Sequence, residues 1–292
     1  MSTKINQLDL FSGIGGFHLG FERAGFEVTS YFSEIDKHAV AVYQHQFKDA
    51  TYVGSVTDVR GADLPNIDLI TFGSPCQDFS LAGKRKGMDG ERSSLILEAI
   101  RLITECRPRA FVWENVKGTF SSNDGEDFAA ILQAFANIGG YRLEWQLLNT
   151  SWFLPQNRER IYLVGYSTTP RRNWRGVFPI GRPNTSVNNT ASIRVFDAAN
   201  HGFRSDNNTG TLTRHVGDKY RGQVITKPKY RTLTPVECER LQGFPDNHTE
   251  YGNYDGEVKK MSNTQRYKQC GNAVTVDVVK AVAQQLIPIY NA

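Results

Sequence analysis

A cysteine sits between a proline and a glutamine in Gly73-Ser74-Pro75-Cys76-Gln77, directly after the apolar run Ile67 to Phe72. A thiol in a proline-bounded loop, at the mouth of a sheet and near a helix N-terminus, is placed for nucleophilic attack, because such surroundings favour the reactive thiolate. Taken alone, a cysteine is more often a small buried hydrophobe, so the reading needs partners. One is Glu114-Asn115-Val116, which closes the apolar run Ala110 to Trp113 and offers a carboxyl that can give or take a proton. Another is the turn Phe11-Ser12-Gly13-Ile14-Gly15-Gly16-Phe17, whose glycines let the backbone approach a ligand where a helix begins. His18 occupies the place of the last glycine of a dinucleotide fingerprint, which therefore fails in detail. Glu34 follows about twenty residues on, the spacing at which an acid holds ribose hydroxyls. Turn and acid together point to a nucleoside-containing cofactor.

The elements that must position these residues alternate in period. Lys4 to Phe11, Phe26 to Phe32, Ile67 to Phe72, Ala110 to Trp113 and Arg160 to Tyr166 read as strands. Between them, the turn to Ala24, Asp36 to Phe47, Ser93 to Cys106 and Phe128 to Ile138 read as helices, the first stopped by Gly25 and the third by Pro108. This alternation predicts an α/β fold, a mostly parallel sheet with helices on both faces. After Tyr166, Gly, Asn, Thr, Arg and Pro dominate to Thr232, which predicts a small irregular or β-rich lobe. Thr234, Pro235 and Glu237 form a helix start: N-cap, first-position proline and capping-box acid. Gly271 to Ile287 reads as one apolar helix that completes the first domain. The expected division is 1–166, 167–250 and 251–292, the last rejoining the first.

Charge sharpens this division. Arg171 to Arg231 holds twelve Lys/Arg against three Asp, a balance of +9, which leaves the rest of the chain at −5 given the overall +4. A basic segment on an acidic body is the electrostatic footprint expected for a phosphate backbone, although a solvated basic loop has the same composition. Four cysteines, none in a CxxC pair, argue against a zinc site or disulfide framework and fit a reducing compartment. The sequence contains no apolar run of the roughly 18 residues that a transmembrane helix needs. Met1 to Asp9 has no apolar core of the signal-peptide kind.

Six segments in order resemble the motif series of the DNA (cytosine-5) methyltransferases, bacterial or phage type. They are Phe11 to Phe17, Gly73 to Ser80, Glu114 to Val116, Gln156 to Arg160, Arg231 to Pro245 and Gly271 to Val274, spanning nearly the whole chain. The resemblance implies the S-adenosylmethionine-dependent methyltransferase fold, with residues 167–250 as a target-recognition lobe. It implies methyl transfer from S-adenosylmethionine to carbon 5 of cytosine, within a specific duplex sequence. Cys76 would attack carbon 6 of a flipped-out base, Glu114 would protonate ring nitrogen 3, and Arg158 and Arg160 would hold the base. The cofactor would lie against Phe11, Gly13, Ile14, Gly15, Glu34, Ile35, Ser55, Val56, Pro75, Asn272 and Val274. DNA would meet Gln77, Ser80, Gln156, Arg214 and Arg231.

Two departures from the family's pattern stand out. Gly54-Ser55-Val56 lies where the family offers an Asp to the adenine amino group, so that hydrogen bond loses its charge and cofactor affinity is expected to be weaker. Only about 65 residues separate Tyr166 from Arg231, which implies a compact lobe and a short DNA site. This lobe includes Thr209-Gly-Thr-Leu-Thr213-Arg214, similar to a Thr-Leu element of such lobes. The resemblance further implies a cytoplasmic monomer with duplex DNA as partner, and leaves open a cognate restriction endonuclease. Two other readings remain: an RNA (tRNA) cytosine-5 methyltransferase, whose Cys-Phe-Thr element the chain lacks, and a non-catalytic DNA-binding protein of the same fold.

Overall fold

The computed structural model describes residues 2–73, 94–169, 176–181, 195–197, 202–203, 223–226 and 229–291. Its main sheet is built from β1 (Thr3–Leu10), β2 (Phe26–Ser33), β3 (Thr51–Tyr52), β4 (Leu69–Gly73), β5 (Ala110–Val116), β6 (Tyr141–Asn149) and β7 (Glu159–Ser167). The spatial order is β3-β2-β1-β4-β5-β7-β6. The first five strands are parallel, while β7 runs antiparallel to both β5 and β6. Chain direction along the sheet reverses between β1 and β4. In doubly wound sheets, the crevice at such a switch point is where ligands bind.

Helices cover both faces. α1 (Gly16–Ala24) and α8 (Val276–Tyr290) lie on one, α3 (Ser94–Cys106) and α5 (Glu126–Ala136) on the other. Side chains along β5 alternate between the two: Ala110 and Val112 pack with α1 and α8, Phe111 and Trp113 with α3 and α5. The period of two puts Glu114 on the α1/α8 face. The same parity along β7, with Tyr162 and Val164 on that face, puts Arg160 there too. α1 and α8 approach closely because residue 20 is glycine; a Cβ there would lie 2.4 Å from Val279 Cγ1. Gly25 then ends α1 in the left-handed region at φ 105°, as the sequence predicted.

α2 (Lys37–Gln46) is capped by Asp36, whose side chain accepts from the His38 N–H at 2.9 Å. The short helix α4 (Gly118–Ser121) follows β5. Four short strands, β8 (Val195–Asp197), β9 (Gly202–Phe203), β10 (Gln223–Thr226) and β11 (Lys229–Thr232), form a separate antiparallel sheet in the order β11-β10-β8-β9. α6 (Pro235–Leu241) starts with the capping box read from Thr234 and Glu237. The hairpin β12 (Tyr251–Tyr254) and β13 (Glu257–Lys260) follows, with β12 against α2.

Three features differ from the sequence reading. β6 was not expected, because it is a sheet-edge strand with several half-exposed side chains rather than a continuous apolar run. The hairpin was likewise unread. The expected single helix from Gly271 is two helices: α7 (Asn263–Asn272) ends at the motif, and Ala273 to Thr275 form an extended junction before α8.

Candidate active site

Each functional segment sits at the same edge of the sheet for a topological reason. β1, β2, β4 and β5 are parallel, so their carboxyl ends carry the glycine turn, Glu34, Gly73 and Glu114 to one side. β7 is antiparallel, so its first residues, not its last, arrive at that side, bringing Arg158 and Arg160.

Glu114 is buried, 8% exposed, and Arg160 Nε lies 3.2 Å from its Oε1. In the register, Val116 faces Arg160 and Glu114 faces Tyr162, so acid and guanidinium are diagonal neighbours on one face. This is an ion contact off the hydrogen-bond axis; Oε1 has no aligned donor among the described residues. Gly73 is the register partner of Glu114 across β4 and β5. A Cβ at Gly73 would stand 3.3 Å from Glu114 Oε2, so the bare backbone leaves the carboxylate room. Burial beside this carboxylate pushes the Tyr162 phenol well up, so it stays protonated.

Arg158 is placed differently from Arg160. Its terminal nitrogens donate to two backbone carbonyls of the C-terminal junction, Nη1 to Gly271 O at 3.2 Å and Nη2 to Ala273 O at 2.9 Å. Burial, and then the like charge of Arg160, lower its pKa to about 10, with Glu114 opposing; it remains charged at neutral pH. Gln156 is fully buried, and its side-chain amide has no hydrogen-bond partner among the described residues.

The glycine turn is bent by Gly13 and Gly15, both in the left-handed region at φ 55° and 83°. Among the described residues, nothing lies within 4 Å of where a Gly13 Cβ would stand, so these leave space above the turn. The Gly13 N–H donates to Glu34 Oε2 at 2.9 Å, while Oε1 accepts from the Ile35 and Asp36 N–H groups at 2.8 and 2.9 Å. Since each carboxylate oxygen carries two lone pairs, Oε2 keeps one for a hydroxyl. Ile35, beside it, is 81% exposed, an apolar side chain held out in solvent next to a carboxylate. Carboxylate, exposed aliphatic surface and open turn fit the ribose, base and tail of an adenosine derivative.

Other expected contacts are distributed unevenly. Phe11 is half-buried at φ 52°. Ile14 is buried among Ala39, Val42, Phe244, Met261, Ala273 and Val276, and its carbonyl accepts from His248 Nε2 at 2.9 Å. Burial holds that imidazole neutral, with a pKa lowered to about 4. Val56 also faces the core, and its carbonyl accepts from Arg101 Nη2 at 3.2 Å. Ser55 Oγ lies 2.9 Å from Thr57 Oγ1. Asn272 is exposed at the end of α7. Val274 is wedged at the turn; a Cβ on Gly16 would come 2.6 Å from its Cγ2. Arg231 lies in β11 opposite Val224. Pro75, Cys76, Gln77, Ser80 and Arg214 fall outside the described residues.

Sequence reading missed the supports of the junction. Gln242, fully buried, donates to Cys270 O at 2.9 Å and accepts from Thr275 Oγ1 at 2.9 Å, and Thr275 meets Thr150 at 2.9 Å. The only signal was Gln242 within the motif itself; its partners are remote in sequence.

A switch-point crevice, an acid after the second strand and a buried Glu–Arg pair define an α/β enzyme of the methyltransferase fold. The chain belongs to the C-5 cytosine-specific DNA methylase family, whose model matches residues 5–216 and 179–288, and its activity is that of a DNA cytosine methyltransferase. It is 35% identical over 309 residues to the Type II methyltransferase M.NlaX of Neisseria lactamica, covering 96% of this chain and 95% of that one. With the Type II methyltransferase M.NgoBI of Neisseria gonorrhoeae it shares 33% over 304 residues, 94% and 90% of the two chains. The S. pombe Dnmt2 methyltransferase structure superposes with a TM-score of 0.71 at 21% identity, over 97% and 99% of the chains, a likeness of fold.

Proposed function

We propose that the chain transfers methyl from S-adenosylmethionine to cytosine carbon 5 in a specific duplex sequence, through a covalent adduct on Cys76. The observation that carries this is the Glu114–Arg160 pair facing Gly73, three residues before Cys76 along the chain. Carbon 5 of cytosine is a poor nucleophile. Attack by a thiolate at carbon 6 makes carbon 5 enamine-like, provided that ring nitrogen 3 receives a proton so that charge does not accumulate. Glu114 supplies that proton, and Arg160 holds the carboxylate and the base. The base must leave the helix stack to reach these groups.

S-adenosylmethionine supplies a methyl group on a sulfonium. Glu34 would hold its ribose and Ile35 its adenine, with Ser55 and the Val56 N–H at the ring edge; Phe11, Gly13, Gly15, Pro75, Asn272 and Val274 would line the remainder. Glu34→Ala is expected to weaken cofactor binding about tenfold or more by calorimetry, the scale of a charge-assisted hydrogen bond. DNA affinity without cofactor should stay within about twofold, since the ribose contact is separate from the phosphate contacts. Unchanged cofactor affinity would remove Glu34 from the site.

Target recognition is assigned to the basic lobe, residues 167–250, with Gln77, Ser80, Gln156, Arg214 and Arg231 toward DNA and 251–292 rejoining the catalytic domain. The Type II names of the relatives support a cognate restriction endonuclease, and the reading is completed by a cytoplasmic monomer. No helix among the described residues is long and apolar enough to cross a membrane. Label transfer from S-adenosylmethionine should go to duplex DNA and not to transfer RNA. Bisulfite sequencing should then place the product at one short sequence. Labelled RNA with unlabelled DNA would instead establish the RNA reading.

A further inference from the structure

The junction between α7 and α8 is braced from three sides. Arg158 donates to the carbonyls of Gly271 and Ala273; Gln242 binds Cys270 O, Thr275 Oγ1 and, through its own carbonyl, the Val276 N–H at 2.9 Å. Thr150 meets Thr275 Oγ1. Thr150 and Arg158 are themselves joined, the Thr150 N–H donating to Arg158 O at 2.9 Å. What the braces hold is Val274, whose methyl group rests where a side chain on Gly16 of the cofactor turn would be, and which also lies 4.0 Å from the Cβ position of Gly73. The guanidinium of Arg158 is therefore engaged on the cofactor side of the crevice, although it belongs to the same segment as Arg160, which faces Glu114.

We propose that Arg158 is a positioning residue, which fixes the 271–275 junction over the cofactor turn from the entrance of the strand that carries Arg160. The cofactor pocket and the base pocket then share one strut, because β7 cannot shift Arg160 toward a flipped base without pulling on the carbonyls that set Val274. A forked guanidinium suits this task; it spans two carbonyls in fixed geometry, which a single ammonium does not. The inference rests on the cofactor site proposed above.

The test is cofactor affinity in the absence of DNA, since a group that touches only cytosine cannot change it. Arg158→Lys in the full chain should weaken S-adenosylmethionine binding tenfold or more by calorimetry, and leave DNA affinity without cofactor within about twofold. General loosening of the structure would not produce that split. Thr275→Val, which removes a brace from the opposite side while keeping shape, should weaken cofactor binding severalfold in the same direction, and it decides the matter if Arg158→Lys does not fold. Cofactor affinity unchanged in a folded Arg158→Lys, or in Thr275→Val where the lysine variant fails, overturns the proposal. Glu34→Ala separates this failure from that of the site itself. If Glu34→Ala weakens binding and the brace variants do not, only the strut is wrong; if none of them does, the cofactor site is misplaced.

Discussion

Duplex DNA made with 5-fluorocytosine in place of cytosine should form a complex with this protein that survives denaturing electrophoresis, provided that S-adenosylmethionine is present. On the proposed route the sulfur of Cys76 would bond to carbon 6, the ring electrons would move toward carbon 5, and carbon 5 would take the methyl group. The cycle normally closes when the carbon-5 proton leaves and the sulfur–carbon bond breaks. Fluorine cannot leave as a proton does, so the adduct persists. Cys76→Ser should give no such band and should lose methyl transfer by roughly three orders of magnitude or more, the scale on which removing a covalent nucleophile operates. It should still fold and bind DNA, whereas loss of a merely packed cysteine would disturb stability and spare the chemistry. An active wild type that forms no adduct excludes the covalent route. A band that persists in Cys76→Ser moves the nucleophile elsewhere.

Glu114→Gln is expected to slow single-turnover methylation by about 10²–10⁴-fold, the usual contribution of a placed proton donor. Glutamine preserves shape in a site where Gly73 leaves only 3.3 Å between a Cβ position and Oε2. It still hydrogen-bonds ring nitrogen 3, but it carries no proton to transfer and no charge for Arg160, 3.2 Å away in the wild type. Cofactor affinity should change little, because among the described residues the ion contact of this carboxylate is with Arg160 and not with the cofactor turn. Rapid-quench measurement with prebound DNA isolates the step. A rate within about threefold of wild type would mean that another group protonates the ring.

The chemistry was more legible in the sequence than its supports. Buried strands such as Leu69–Gly73 and Ala110–Val116 announced themselves as continuous apolar runs, and the acid and glycines at their ends are visible as residue types. The pairing of Glu114 with Arg160 also follows from parity once β7 is known to be antiparallel. β6 was not legible, because an edge strand with exposed Arg142 and Trp145 has neither an apolar run nor clean alternation. α7 is a largely polar helix whose buried face includes Arg266, Gln269 and Cys270, so its periodicity is hidden by residue type. The carbonyl partners of Arg158 lie 113 and 115 residues away, and no local pattern encodes them.

The pairing of α1 with α8 sets a condition on the order of folding. Phe17 and Phe21 near the start of the chain find their cover in Val278, Val279, Val282 and Leu286, and the bare backbone of Gly20 is the groove that receives Val279. On a ribosome, the first of these surfaces exists long before the second, at synthesis rates of about 5–20 residues per second. For that interval the apolar flank of β1 and β2 is open to chaperones or to another nascent chain. Closing so long a loop carries an entropy cost that favours late docking of the final helix. A messenger truncated before residue 276 would therefore release a protein with most of its strands encoded and one whole face uncovered, a candidate for rapid degradation.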